Sequence, residues 1–137
     1  MPRMSSTSEN LATARRYVRA VEGGATGEKL AAFFTPDVIH EQLPNRLVPQ
    51  GSRSNLAEIL AAAERGQKST SRQRYDIRSD FASGNLVVME VQWTGALKVP
   101  IGNIPAGGEM HADLAFFIEF EDGKIRMQRE YACFHPW

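Results

Sequence analysis

The sequence contains a single cysteine, Cys133, so a framework of internal disulfides is excluded. It also lacks an apolar run long enough to span a bilayer, and residues 1–10 are polar where a secretory signal peptide would be hydrophobic. These absences argue against a disulfide-stabilised secreted protein and against a membrane-spanning one. We therefore expect a cytoplasmic protein.

An excess of charge of either sign is missing as well, because 16 Lys and Arg residues balance 16 Asp and Glu residues. Without a basic surplus the chain is poorly suited to hold a nucleic-acid backbone or an anionic membrane, and we expect neither partner. The length of 137 residues suits one domain with room for a ligand, and no internal repeat is present. We predict a single domain over residues 1–137, with residues 1–8 as a loose N-terminal tail.

Helical spacing dominates the first half of the chain. Ser6 and Glu9 are spaced as a capping box ahead of an amphipathic segment, which predicts a first helix. Thr26 is expected to cap a second, shorter helix, and Ser52 a third one that ends at Gly66.

The second half changes to the alternating pattern of strands. Segments rich in β-branched and aromatic residues follow an earlier predicted strand at 38–43, and they cover residues 72–81, 86–97, 109–120 and 125–134. Short Gly-containing turns separate the later strands. The order α-α-β-α-β-β-β-β predicts an α+β domain whose antiparallel sheet buries one face against the helices.

Four segments in this order carry a resemblance to a known superfamily: "ARRYVRAVEGG", "FFTPDVIHEQLPN", "WTGALKVPIGNIPAGGEMH" and "FEDGKIRMQREY". The chain resembles the nuclear-transport-factor-two-like superfamily over nearly its whole length. It is most similar to the SnoaL-like polyketide cyclase branch and the neighbouring limonene-epoxide-hydrolase and ketosteroid-isomerase branches. The resemblance implies a cone-shaped α+β barrel, in which three N-terminal helices pack inside a strongly curved mixed or antiparallel sheet around a pocket. It also implies that homodimers are common.

Polar side chains on three strands make up the candidate site. Successive strand side chains point to opposite faces, so His111 shares a face with Asp113, and His40 shares one with Gln42. Alternation alone does not tell which face is inward. The resemblance to the epoxide-hydrolase branch implies that these four residues and Glu130 line the cavity together.

Three chemistries fit such a cone. The epoxide-hydrolase branch uses two carboxyls bridged by an arginine; Asp113 and Glu130 match the carboxyls, but His111 replaces the arginine, which weakens this prediction. The ketosteroid-isomerase branch matches at Tyr17, whereas its carboxylate base aligns with Gln42, and an amide cannot accept a proton at neutral pH. The SnoaL-like branch asks only for one acid/base group in a pocket that excludes water.

We therefore predict a SnoaL-like acid/base enzyme that cyclises or isomerises a small hydrophobic oxygenated molecule, with epoxide hydrolysis as the alternative chemistry. The resemblance implies Asp113 as the acid/base group, His111 as its orienter or alternative base, and Glu130 as a further catalytic carboxyl. His40 and Gln42 would support the substrate. The other expected substrate contacts are aromatic or apolar: Tyr17, Trp93, Phe33, Met89 and Phe117.

We expect no metal or other cofactor. His40, His111 and Asp113 could imitate a site of two histidines and one carboxylate, but no local ligand spacing supports one.

A noncatalytic cone that binds a ligand or only dimerises stays open as a second class of function. An enzyme predicts a deep pocket that holds Asp113 and His111 within hydrogen-bonding reach, whereas a binding module predicts a filled cone with both side chains outside. For the expected homodimer, alternation on the last strand predicts a half-apolar outward stripe: Ile125, Met127, Tyr131 and Cys133.

Overall fold

The computed structural model describes residues 6–137. Within that range the chain forms three helices, α1 (Thr7–Glu22), α2 (Gly27–Ala31) and α3 (Leu56–Ser69). It also forms six strands: β1 (Phe34–Gln42), β2 (Ser52–Ser54), β3 (Thr70–Ser83), β4 (Leu86–Leu97), β5 (Glu109–Glu121) and β6 (Lys124–Phe134). None of the helices in residues 6–137 combines the length and the hydropathy that crossing a bilayer requires.

The strands form one mixed sheet in the order β2-β1-β6-β5-β4-β3. Strands β1 and β6 pair in parallel, and every other neighbouring pair is antiparallel. The α+β class is therefore confirmed. The sheet is not closed, because β2 and β3 are its two edges, so the expected barrel is corrected to an open sheet.

The expectation of three N-terminal helices is not confirmed. Only α1 and α2 precede β1, and α3 follows the short strand β2, which the sequence pattern did not reveal. Ser52 belongs to β2 and does not cap α3. Asn55 caps that helix instead, through a capping box in which its side chain and that of Glu58 each accept a backbone hydrogen bond of 3.0 Å.

Helix α1 begins as its capping signal predicts. The Ser6 hydroxyl accepts a hydrogen bond of 3.0 Å from the backbone N–H of Glu9. Of the predicted tail over residues 1–8, residues 1–5 lie outside the described range, and residues 6–8 form the cap and first turn of this helix. Arg15 then ties α1 to β3 through a two-pronged contact with the carboxylate of Asp80, at 2.7 and 2.9 Å.

The core lies between one face of the sheet, called here the inner face, and the helices. On β5 the inner positions include Met110, Ala112, Leu114 and Phe116, all of them buried. Ala112, Leu114 and Phe116 pack in one cluster with apolar residues of the helices, among them Val18 of α1. Between register shifts, burial of this apolar face fixes which way the strand side chains point, because neighbouring positions alternate.

A register shift on the last hairpin changes the predicted outward stripe. The pairing of β5 with β6 is irregular between Glu119 and Phe120. As a result, Ile125 is completely buried in the core, whereas Tyr131 and Cys133 are exposed. The prediction that Ile125 faces outward is therefore wrong.

The C-terminal residue anchors two loops. The indole of Trp137 packs edge-on against Phe134, with ring centroids 5.7 Å apart, and the guanidinium of Arg46 stacks over it at 4.0 Å. A Cβ atom at Gly102 would lie 2.7 Å from the same indole. The backbone of the β4–β5 loop thus contacts Trp137 at a point where only glycine fits.

This packing predicts different costs for two alanine substitutions. Gly102 and Gly84 have nearly the same backbone, with φ of 57° and 58°, so each alanine should cost about 1 kcal/mol from the left-handed conformation. A methyl group added at Gly84 would meet nothing within 4 Å, whereas Gly102→Ala must displace the Trp137 ring, at about 1–3 kcal/mol more. Urea unfolding of both variants measures the difference, and equal free energies of unfolding would contradict the contact.

Candidate active site

A cavity of about 1200 Å³ opens between the helices and the inner face of the sheet. Helices α1 and α3 and strands β1, β3 and β6 all contribute to its walls. Its polar residues include Tyr17, His40, Gln42, Gln73, Tyr75 and Glu130, and its apolar ones include Val21, Leu30, Ile59 and Ala63. The volume is ample for a small organic ligand.

Glu130 and its two partners come together because β1 and β6 run in parallel. The register places Gln42 opposite Glu130 and His40 opposite Gln128, so inward side chains of the two strands stand side by side. The Gln42 amide donates a hydrogen bond of 3.0 Å to Oε2 of Glu130. The other carboxylate oxygen, Oε1, lies 3.8 Å from Nε2 of His40.

Burial and pairing act on Glu130 in opposite directions. Its side chain is only 17% exposed, and loss of water disfavours the charged form, which raises the pKa. The facing imidazole of His40 and the hydrogen bond from Gln42 favour the carboxylate, and together they outweigh burial, so the pKa of Glu130 is lowered. Glu130 is therefore ionised at neutral pH in a mostly dry setting.

His40 has an unsatisfied nitrogen at this site. Its Nε2 is buried and has no hydrogen-bond partner among residues 6–137, and the carboxylate of Glu130, at 3.8 Å, is beyond hydrogen-bonding distance. The ring as a whole is 27% exposed and lines the cavity. A buried polar atom without a partner is costly, so the arrangement leaves His40 able to gain from a ligand or from a closer approach of Glu130.

Two tyrosines beside Glu130 are held in the protonated form. The Tyr17 hydroxyl donates a hydrogen bond of 2.7 Å to Oε1 of the buried Gln128. Burial raises the pKa of both Tyr17 and Tyr75, and the negative charge of Glu130 raises both further. They can serve as hydrogen-bond donors and not as bases.

Tyr75 and Gln73 are site residues that the sequence analysis missed. Both lie on the inner face of β3 and line the cavity. Their two-residue spacing within a strand was a usable signal, but nothing in the sequence showed that this edge strand borders the pocket.

His111 and Asp113 do not join this cavity, which corrects the predicted grouping. They lie on the outer face of β5, where the Asp113 side chain is 61% exposed, because the core claims the alternate positions Met110, Ala112 and Leu114. Glu130 is on the inner face and shares no site with them.

The two outer-face side chains have partners of their own. Nδ1 of His111 lies 3.1 Å from the Thr94 hydroxyl, and Oδ2 of Asp113 lies 3.1 Å from Nε2 of His135. The rings of His111 and His135 stack, with centroids 5.8 Å apart. His111 and Asp113, which the resemblance placed in the pocket, thus have their partners outside it.

Of the five expected aromatic or apolar contacts, only Tyr17 lines the cavity. Met89 is fully buried in the core, and Phe33 packs on the ring of Tyr17 at 5.7 Å. Phe117 lies on the outer face against Tyr131, also at 5.7 Å.

Trp93 lies on the inner face, but its side chain packs against other residues there and does not line the cavity. Its indole lies across Gly95, where a Cβ would come within 2.5 Å of the ring, and it donates a hydrogen bond of 3.1 Å to Gln73. Gln73 in turn donates to the backbone oxygen of Val21 at 3.0 Å. Trp93 therefore supports the cavity wall from behind.

The histidine and carboxylate side chains do not form the metal site that their residue types could imitate. His40 faces the cavity, whereas His111 and Asp113 lie on the other side of the sheet. In residues 6–137, no group of three or more His, Cys, Asp and Glu side chains is arranged to hold a metal ion.

Comparison with known proteins confirms the resemblance that the sequence carries. Residues 14–127 match the SnoaL-like domain family. No curated protein matches the sequence.

Several solved structures share the fold at low sequence identity. AclR of Streptomyces galilaeus, named as a candidate hydroxylase, is 18% identical with a TM-score of 0.78, over 96% of this chain and 83% of AclR. IdmH of Streptomyces antibioticus, named as a candidate polyketide cyclase, is 16% identical with a TM-score of 0.75, over 90% of this chain and 91% of IdmH. An LEH-like epoxide hydrolase of M. tuberculosis is 18% identical with a TM-score of 0.71, over 93% of this chain and 84% of that protein. At such identities the likeness establishes the fold.

The contact between His40 and Glu130 predicts a shift that NMR can measure. The variant His40→Asn lacks the imidazole, so mainly the hydrogen bond from Gln42 opposes the effect of burial on Glu130. The pKa of Glu130 should therefore rise. A pH titration of the ¹³C-labelled Glu130 carboxyl measures it. His135→Asn removes an imidazole on the outer face and should leave that pKa unchanged. An unchanged value in His40→Asn would show that the imidazole does not act on Glu130.

Proposed function

We propose that this chain, which belongs to the SnoaL-like domain family, is an acid/base enzyme that moves a proton on a small oxygenated substrate within the cavity. The observation that carries the proposal is an ionised, nearly buried carboxylate, Glu130, on the wall of a cavity of about 1200 Å³. Its Oε2 is held by Gln42, and its Oε1 makes no hydrogen bond with a described residue. Oε1 is therefore the oxygen available to a substrate.

The reaction would begin with proton removal from a carbon that is flanked by carbonyl groups. Glu130 Oε1 accepts the proton, and the electron pair of the broken C–H bond becomes an enolate. The α-carbon of the enolate can attack a second carbonyl, which closes a ring. Where the enolate is conjugated with a C=C bond, the far carbon of that bond can take the proton instead, which moves the double bond and isomerises the substrate. In both cases Glu130 returns the proton, to the new alkoxide oxygen or to carbon.

Neighbouring side chains supply the other requirements of this chemistry. Tyr75 lines the cavity with its hydroxyl kept protonated, so it is suited to donate a hydrogen bond to the developing enolate oxygen. A bound substrate would displace water from Glu130, and this further loss of solvation would raise the basicity of the carboxylate when it is needed. His40 acts as a positioning residue, because its imidazole favours the ionised carboxylate between turnovers.

Epoxide hydrolysis is less well supported. It needs a second carboxyl to protonate the epoxide oxygen, and Asp113, which was matched to that role, lies on the outer face. The inner positions on either side of it are Ala112 and Leu114, which cannot transfer a proton. The open cavity supports ligand binding in either case, so a noncatalytic binding protein is the contrasting possibility for the experiment below.

Paired carboxyl substitutions test the proposed function. Glu130→Gln keeps the shape of the side chain but cannot exchange the proton, so turnover should fall by roughly a hundred- to ten-thousand-fold. Asp113→Asn is the matched control on the outer face and should turn over at the wild-type rate. Polyketide-like β-keto esters and small epoxides are the substrates to screen, with circular dichroism to check folding.

Two outcomes would contradict this assignment. If a substrate is found and Glu130→Gln turns it over normally, Glu130 is not the acid/base group. If Asp113→Asn alone loses activity, the site lies on the outer face.

We also propose that a second copy of the chain covers part of the outer face. Phe117 and Tyr131 pack there with the Arg129 guanidinium over the Phe117 ring at 5.5 Å, and Tyr131 is still 43% exposed. Met127 and Cys133 extend this half-apolar surface along β6.

Light scattering should therefore report a dimer at micromolar concentration. Tyr131→Lys places a charge in the proposed interface and should shift the protein to the monomer. Leu47→Lys changes an equally exposed apolar residue, 42% exposed, in a loop away from this surface and should leave the dimer intact. A monomeric wild-type protein would rule out the homodimer.

A further inference from the structure

Basic side chains gather at one part of the cavity lining. Arg65 and Lys68 lie near the end of α3, Arg72 at the start of β3, and Lys98 directly after β4. All four are exposed, and all four line the cavity. They are close together because the backbone N–H of Lys98 donates a hydrogen bond of 2.8 Å to the backbone oxygen of Ser69. This bond joins the end of β4 to the α3–β3 junction.

These charges are not neutralised by nearby carboxylates. Within residues 6–137 none of the four forms an ion pair within 4.0 Å. Of the acidic residues that line the cavity, Glu22 is engaged by Arg19 at 2.8 Å and by the backbone N–H of Tyr75 at 2.7 Å. Glu64 directly precedes Arg65 on α3, whereas Glu130 is on β6, where that strand pairs with β1. The lining therefore carries a local excess of positive charge.

The end of α3 explains only part of this excess. Cations are favourable near the last carbonyls of a helix, and Lys98 Nζ does donate to the Gln67 oxygen at 2.6 Å. Lys68 occupies the last turn of α3 as well. Arg65 and Arg72 are not needed to balance the helix end, and their guanidinium groups form no hydrogen bond or ion pair with another described residue.

The excess is also particular to this region. The chain as a whole has a formal net charge of zero, so four unpaired cations beside one opening are offset by acidic residues elsewhere. Charges of one sign beside a cleft raise the local concentration of ligands of the opposite sign. The carboxylate of Glu130, by contrast, repels an anion that comes close to it.

From this separation of charge we propose that the cavity takes an anionic amphiphilic substrate, whose carboxylate, sulfonate or phosphate group stays beside Arg65, Lys68, Arg72 and Lys98. The apolar oxygenated part of the molecule extends toward Glu130. Preference for an anion is a property of binding alone; the orientation toward Glu130 rests on the proposed function.

Two fluorescent probes with the same apolar body provide the test. 1-Anilinonaphthalene-8-sulfonate carries a sulfonate, and N-phenyl-1-naphthylamine is its uncharged counterpart. At low salt the anionic probe should bind at least roughly tenfold more tightly, as expected for a charge near several partly solvated cations, and added salt should narrow the difference. Equal affinity of the two probes, or no binding of the anionic one, would overturn the proposal.

Matched variants locate the preference. Substituting Arg65, Lys68 and Arg72 by Gln should remove most of the preference for the anionic probe. Lys98 is left in place because its Nζ donates a hydrogen bond to the backbone oxygen of Gln67 at the end of α3. The control substitutes Arg16, Arg53 and Arg78 by Gln; it has the same net charge and alters exposed residues outside the cavity lining, so the preference should persist. An equal loss in the control would refute a local effect.

Two further variants place the probe and separate this inference from the proposed chemistry. Ala62→Trp puts a large side chain at an exposed position of the lining and should weaken both probes; unchanged binding of the anionic probe would overturn the proposal. Glu130→Gln should keep the anion preference while it loses turnover. If Glu130→Gln keeps turnover as well, the proposed function fails and the anion preference still stands. Thermal unfolding checks that each variant is folded.

Discussion

The parallel pairing of β1 with β6 is the constraint on which the site depends. It is the one parallel contact in the sheet of residues 6–137, and it connects strands that are distant in the sequence. Through this register Gln42 reaches Glu130 with a hydrogen bond, and His40 faces the same carboxylate. A shift of one residue would turn Glu130 to the outer face and leave its partners behind, since side chains alternate along a strand.

The buried core decides where the other polar pair, His111 and Asp113, can lie. On β5 the buried residues Met110, Ala112 and Leu114 occupy the inner face, so His111 and Asp113 can lie only on the outer one. There they are satisfied by Thr94 and His135, at no cost of burying charge. Glu130 is the opposite case, because it is nearly dry and is kept ionised by two partners.

Charges of opposite sign line different parts of the cavity. Helices α1 and α3 stand away from the sheet enough to leave a hollow, with a carboxylate on the β1–β6 wall and basic residues at the α3–β3 junction. Protonated Tyr17 and Tyr75 lie near the carboxylate. A ligand in this space would meet the carboxylate of Glu130 in one part of the cavity and positive charge at the α3–β3 junction.

Local signals in the sequence determined much of the fold: the cap of α1 at Ser6, the alternation of β4, β5 and β6, and the α+β order. The family resemblance implied Tyr17, His40, Gln42 and Glu130 as site residues, and all four line the cavity. Only the tertiary structure decided which face of β5 is inward, and that Tyr75 on an edge strand borders the cavity. Alternation gives two equivalent faces, and the choice between them is made by burial against helices that are remote in the sequence. The strand β2 and the buried position of Ile125 were likewise decided by long-range pairing, because a three-residue strand and a register shift leave almost no local pattern.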